Sequence, residues 1–127
     1  MRGFLLTDRA GLDLDDIESY TEDRWGPAQT TAYLVDLRSA FEQIVESPDL
    51  GLSRMHRSAP FRMVREQSHF IVYDLYGDWI VIAAVPHARA DIEGLVRDMT
   101  PDYRRELETL RAQFPELDAD GNILGRD

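Results

Sequence analysis

The stretch from His69 to Val85 constrains the fold of this chain more than any other. His69 to Tyr76 and Trp79 to Val85 are rich in β-branched and aromatic residues, and the Gly77-Asp78 pair between them suits a tight hairpin turn. Phe70, Val72, Ile80, Ile82 and Ala84 are interleaved with Ile71, Tyr73, Leu75, Val81, Ala83 and Val85, so both faces of the hairpin are apolar. An antiparallel sheet often leaves one face in water, but this pattern leaves neither face to solvent. Each face therefore needs a covering layer, and a single pair of helices can supply only one.

The segment before the hairpin supplies that pair. Residues 2–6 form a short apolar run ending at Thr7-Asp8, which can cap a helix by accepting hydrogen bonds from its first free amides. Leu14, Ile17 and Tyr20 follow Ala10 at helical spacing, with acidic residues on the other side, and this helix should end near Trp25-Gly26. Pro27 suits the first turn of a second helix, whose stripe is Tyr33, Leu34, Leu37, Phe41, Ile44 and Val45. Pro48-Asp49-Leu50-Gly51 breaks the chain, and Phe61 to Arg65 alternates as a strand. The expected architecture is α+β: an N-terminal strand and an α-helical hairpin packed on a small antiparallel sheet over residues 3–85.

Beyond His87 the period becomes helical again. Ile92, Leu95, Val96 and Met99 are in register, and Thr100-Pro101 then reads as the opening of a further helix carrying Tyr103, Leu107, Leu110 and Phe114. Two such stripes would be wasted on a solvated extension, so residues 101–114 are expected on the sheet face opposite the hairpin or against an equivalent partner chain. The expected division is a domain over residues 1–92 and a helical extension with a frayed tail over 93–127.

Composition narrows the function. The 127 residues include no cysteine, which excludes disulfides, thiolate metal sites and cysteine nucleophiles. An acid at position 8 precedes any signal-peptide core, and no run approaches the ~18 apolar residues of a membrane span, so a cytoplasmic protein that does not touch membranes is expected. Fourteen basic residues against 24 acidic ones give a net charge of −10, and every basic residue is arginine. Such a chain repels a phosphate backbone, and no direct nucleic-acid binding is expected. Between Gly51 and Arg65, however, Arg54, Arg57, Arg62 and Arg65 accompany His56 with no acid among them. The histidines and carboxylates lack metal-ligand spacing, and no glycine-rich phosphate cradle or nucleophile elbow is present, so neither metal nor cofactor is expected.

Several motifs carry a family likeness. They are Ala10-x-x-x-Leu14-x-x-Ile17-x-x-Tyr20, Trp25-Gly26, Gln29, Tyr33, Leu37, Phe41, Ile44, Pro48-x-Leu50-Gly51, Arg62, His69-Phe70-Ile71-Val72-Tyr73 and Ile80-x-Ile82-x-x-Val85-x-His87, followed by Ala88-Arg89-Ala90-Asp91. In this pattern the chain resembles the RelE/ParE toxin superfamily of type II toxin–antitoxin systems, nearer its ParE branch. The resemblance implies a toxin that inhibits DNA gyrase by protein contact, without an enzyme's active site, and that a cognate antitoxin neutralises by wrapping the helix hairpin and sheet. The partner-binding residues it points to are Arg54, Arg57, Arg62, Arg65, His87 and Arg89.

Each of these residues has a plainer role open to it: Arg62 an ion pair with an acid of the hairpin, His87 a turn fastening, and the loop arginines simple solvation. The alternatives for the whole chain are a RelE-like ribosome-dependent endonuclease using Arg62, Arg65, Arg89, His87 and Tyr103, or a silenced, non-toxic family member.

Overall fold

The computed structural model describes residues 1–51 and 60–113, in the order β1 (Gly3–Leu6), α1 (Asp8–Trp25), α2 (Pro27–Glu46), a single 3-10 turn (Pro48–Leu50), β2 (Arg62–Glu66), β3 (His69–Tyr76), β4 (Trp79–Ala84) and α3 (Ile92–Gln113). Arg54, Arg57 and His56 lie outside the described residues, as does Phe114.

Thr7 starts α1 as its sequence implies. Its hydroxyl accepts the Ala10 amide at 3.0 Å and donates to the Ala83 carbonyl at 2.9 Å, so one side chain both caps the helix and ties it to β4. Gly26, at φ +85°, closes α1 and opens α2, a left-handed backbone that glycine adopts without a Cβ penalty.

The sheet order is β1-β4-β3-β2. The β2–β3–β4 meander is antiparallel as expected, but β1 pairs with β4 in parallel, so the whole sheet is mixed. The helix hairpin explains this. It delivers the end of α2 beside the start of β1, where the Met1 ammonium donates to the Val45 carbonyl at 3.2 Å. β2 consequently enters from the same end as β1, and two reversals leave β4 running with β1.

The register also refines the face assignment. Tyr76 pairs with Trp79 across the Gly77-Asp78 turn, which sets Ile80 and Ile82 beside Leu75 and Tyr73 rather than beside Phe70 and Val72. A bulge at Val72/Tyr73 then puts Ala83 and Ala84 on the same side and turns Val85 to the other.

Two cores result. Between the sheet and the hairpin, Leu37, Phe41, Ile44, Ile71, Tyr73, Ile80 and Ile82 are buried. On the opposite face Val72, Val81, Ala83 and Ala84 meet Phe61 and the α3 residues Val96, Met99 and Tyr103. The second layer demanded by the doubly apolar hairpin is thus supplied by the chain's own C-terminal helix.

That helix is continuous through Pro101, whereas the sequence suggested a break before it. A proline inside a helix forfeits one backbone bond and costs about 3 kcal/mol. Here the Thr100 hydroxyl bonds the Val96 carbonyl at 2.6 Å, and buried residues on both sides of the proline, Met99 and Tyr103, hold the axis on the sheet.

Candidate functional site

The motif Pro48-x-Leu50-Gly51 is a clasp. Tyr73 Oη donates to the Pro48 carbonyl at 2.7 Å and accepts the Gly51 amide at 2.8 Å. A Cβ on Gly51 would lie 2.5 Å from that oxygen, which is why only glycine fits. Arg62 Nη1 donates to the Gly51 carbonyl at 3.2 Å, and Nη2 lies 3.7 Å from Asp49. Arg62 thus pairs with an acid of the 3-10 turn rather than of α1 or α2, and fastens that turn to β2.

Arg65, His87 and Arg89 lie elsewhere and share one cleft. It has a volume of about 380 Å³ and opens between the tip of the helix hairpin, the β2–β3 turn and the chain leaving β4. α1 contributes Tyr20, Arg24 and Trp25, α2 contributes Gln29 and Tyr33, and β3 contributes His69 at its first residue. The three sequence candidates within the described residues that are not part of the clasp thus converge, although they are separated by up to 24 positions.

The cleft floor is a hydrogen-bonded aromatic cluster. Tyr33 Oη lies 2.6 Å from His69 Nδ1 and donates to the Glu66 carbonyl at 3.2 Å. The His69 and His87 rings meet edge to face at 5.2 Å, where their backbones form an isolated antiparallel bridge. His87 Nδ1 accepts the Arg89 amide at 3.0 Å, so the turn is fastened through an amide rather than a carbonyl, and neutral His87 carries its proton on Nε2. Burial, and secondarily His87, lowers the His69 pKa to about 4, so its imidazole is neutral at pH 7. Burial likewise raises the Tyr33 phenol above its ordinary value.

The walls are cationic and aromatic. The Arg24 guanidinium sits 5.0 Å from the Tyr20 ring centroid, and that of Arg65 sits 5.7 Å from the Phe70 ring while its Nε donates to the Gln67 carbonyl at 2.9 Å. Trp25 and Tyr20 are more than half exposed, at 61% and 57%. The helical spacing places Tyr20 on the buried stripe, and Trp25 enters only through the Trp25-Gly26 motif. Spacing from Ile17, however, allows either Tyr20 or Thr21 on that stripe; Thr21 takes the place and Tyr20 turns outward, while Trp25 is the last residue of α1.

Tyr103 is remote from this cleft. It belongs to the α3 core, 4% exposed, and its hydroxyl donates to Asp74 at 2.5 Å. Burial raises its phenol pKa, with Asp74 adding to the shift, so it is held as a proton donor and not as a base.

A second concavity, of about 410 Å³, opens where the two helices of the hairpin meet the edge strand β1. Phe4, Leu6, Leu14, Leu34, Val35 and Phe41 line it, with Asp15, Glu18 and Arg38 at polar positions. Val35 is 57% exposed, a large apolar side chain facing water on the outer side of α2. Among the described residues, no three histidine or carboxylate side chains are placed to hold a metal ion, and no helix is long and apolar enough to cross a membrane.

Residues 4–92 match the family of ParE toxins of the type II toxin–antitoxin system parDE. The chain belongs to this family. Toxin ParE1 of Caulobacter vibrioides is 37% identical over 73 residues, covering 58% of this chain and 76% of that protein. Toxin ParE1 of Mycobacterium tuberculosis is 29% identical over 91 residues, covering 71% of this chain and 93% of that one. In fold, the chain is similar to one from the chromosomal ParDE TA system of P. aeruginosa, with a TM-score of 0.60 at 18% identity, covering 68% of this chain and 96% of that chain. As a ParE toxin, this protein has the matched unit of sheet and hairpin, and all of α3 beyond Ile92 lies past the match.

Proposed function

We propose that this ParE toxin inhibits DNA gyrase in the cytoplasm by protein contact, without chemistry of its own, and that a cognate antitoxin neutralises it. The observation that carries the reading is the family match across the whole hairpin-and-sheet unit. The groove between the hairpin and β1 supports the antitoxin half of the proposal. An apolar strip interrupted by Asp15, Glu18 and Arg38 suits an amphipathic segment laid along it. Arg65, His87 and Arg89 are proposed as target-facing residues, with Arg54 and Arg57 as further candidates. Arg62, one-third exposed, remains a proposed contact residue that the clasp also orients.

The alternatives receive less support. A RelE-like nuclease would draw on Tyr103, which is buried on the other side of the sheet. In a silenced member α3 would occupy the antitoxin's place; α3 does cover the sheet face away from the hairpin, but it leaves the hairpin groove open. The deciding experiment compares DNA supercoiling by gyrase with cleavage of ribosome-bound message, each in the presence of the purified protein. Blocked supercoiling with intact message is expected, and cleaved message with intact supercoiling would overturn the proposal.

A further inference from the structure

In a protein with 24 acidic and 14 basic residues, an arginine has no shortage of carboxylates to pair with. Arg2, Arg9, Arg38, Arg62, Arg97 and Arg105 all do so, each within 4.0 Å of an aspartate or glutamate. The three arginines of the cleft do not, and neither, among the described residues, does Arg111 in the last turn of α3, which stands outside the cleft. Arg24, Arg65 and Arg89 have no such partner among the described residues, and no acidic side chain lines the cleft. Gathering three unneutralised guanidiniums into one concavity costs electrostatic energy that an anion from outside would recover.

The guanidiniums of Arg24 and Arg65 are held by neutral groups that leave their charge unspent. Arg24 lies over the Tyr20 ring, and Arg65 is oriented by Phe70 and the Gln67 carbonyl. A planar guanidinium placed in this way presents a fork of N–H donors to phosphate or carboxylate oxygens. His87 adds a donor, because its Nδ1 is occupied by the Arg89 amide and its proton is therefore on Nε2. The rest of the lining sets Trp25 and Tyr20, exposed over most of their surface, beside the polar Thr21, Gln29 and Ser68. Planar aromatic faces beside arginines are the surfaces on which nucleobases stack.

Size and surroundings select among anions. A volume of about 380 Å³ falls at the lower end of small-ligand sites, which run from roughly 300 to 1,000 Å³. Glu22, Asp23 and Asp91, next to lining residues in the chain or nearly so, are exposed carboxylates that would repel further phosphates of a strand leaving the cleft. We propose that the cleft binds a single nucleotide through its phosphate monoester, with the phosphate on Arg24, Arg65 and Arg89 and the base against Trp25 and Tyr20. No sequence motif announces the site, because its cations come from three separate elements.

The test is an NMR titration of the full chain, following the Cε1–H resonances of His69 and His87 as adenosine monophosphate, adenosine, inorganic phosphate or a short single-stranded oligonucleotide is added. The monophosphate should give saturating shifts, and the pKa of His69 should rise when it binds. Adenosine should bind at least about tenfold more weakly for want of the charged group, and phosphate should also be weaker for want of the stacked ring. Arg89→Gln and Arg65→Gln should each weaken binding by about fivefold or more, and Trp25→Ala should reduce the monophosphate to the level of phosphate. Arg97→Gln removes an exposed, carboxylate-paired arginine outside the cleft and should change little. If Arg65→Gln fails to fold, Arg89→Gln decides the cation requirement. The proposal is overturned by the absence of saturation at about 10 mM monophosphate, by equal affinity for adenosine or phosphate, by equal losses from Arg97→Gln and Arg89→Gln, or by tighter binding of the oligonucleotide. The outcome is separate from the toxin reading: a chain inert toward gyrase that still bound the monophosphate would sink only the gyrase proposal.

Discussion

Tyr103 of α3 donates its hydroxyl to the Asp74 carboxylate of β3 at 2.5 Å, inside the core that joins the C-terminal helix to the sheet. Asp74 is 9% exposed, and burial raises its pKa above the ordinary carboxylate value even though the phenol's hydrogen bond pulls the other way. Tyr103→Phe keeps the ring and its edge-to-face contact with Phe61 but removes the phenol's hydrogen bond and leaves the carboxylate with the Leu75 amide. The expected loss is about 1–3 kcal/mol in denaturant melts at neutral pH, the cost of removing one donor from a buried carboxylate. A loss below about 0.5 kcal/mol would show that water replaces the phenol there.

Gly51→Ala tests the clasp. The added methyl would sit 2.5 Å from the Tyr73 hydroxyl and 2.6 Å from a ring carbon, and two hydrogen bonds hold that ring in place. Overpacking of this kind costs about 1–3 kcal/mol, and Tyr73→Phe in the same background should relieve part of it. An unchanged melting midpoint for Gly51→Ala alone would mean that the turn moves freely away from β3.

These two sites differ in how far the sequence disclosed them. The need for layers on both sides of the sheet was legible in the doubly apolar run from His69 to Val85, and α3 meets it. The pairing partner of β1 was not legible, because four residues from Gly3 to Leu6 carry period but no direction. Pro101 misled because its local cost is visible in sequence, while the burial of Met99 and Tyr103 that offsets it is tertiary. In the cleft, Arg65, His87 and Arg89 were named from the family pattern, but Arg24, Trp25 and His69 join them only because the hairpin tip folds over the end of the sheet.

Phe41 lies 3% exposed in the hairpin core and packs edge to face on Phe4 at 5.3 Å. Phe41→Ala should cost about 3–5 kcal/mol, as large-to-small changes in a packed core do. A loss under about 1 kcal/mol in the same melts would place Phe41 outside the cooperative core.

Val35→Glu probes the groove between the hairpin and β1. Val35 is 57% exposed, so the substitution should leave stability within about 0.5 kcal/mol. If an antitoxin segment lies on Leu6, Leu34 and Val35, the introduced carboxylate must be desolvated on binding, and affinity measured by calorimetry should fall by about tenfold or more. Undiminished affinity with intact folding would move the antitoxin to another face.

His69 makes stability depend on pH with a definite sign. Its folded pKa of about 4 lies below its ordinary value of 6.5, so the folded state favours the neutral ring. The neutral ring's contribution is fully present above pH 6.5 and is lost as pH falls from there toward 4, because the unfolded chain takes up the proton first. A shift of this size would correspond to about 3 kcal/mol for a fully buried group, and discounting for partial exposure leaves roughly 1–2 kcal/mol. Asp74 and Asp13 oppose this trend at lower pH, since burial raises both carboxylates and so favours their protonated forms in the fold. His69→Gln removes the titrating ring, so comparison of urea melts at pH 7 and pH 5 isolates it. The unsubstituted chain should lose more stability over that interval than His69→Gln does, by about 1 kcal/mol or more. Equal losses in the two proteins would show that the His69 ring is hydrated in solution and does not titrate with folding.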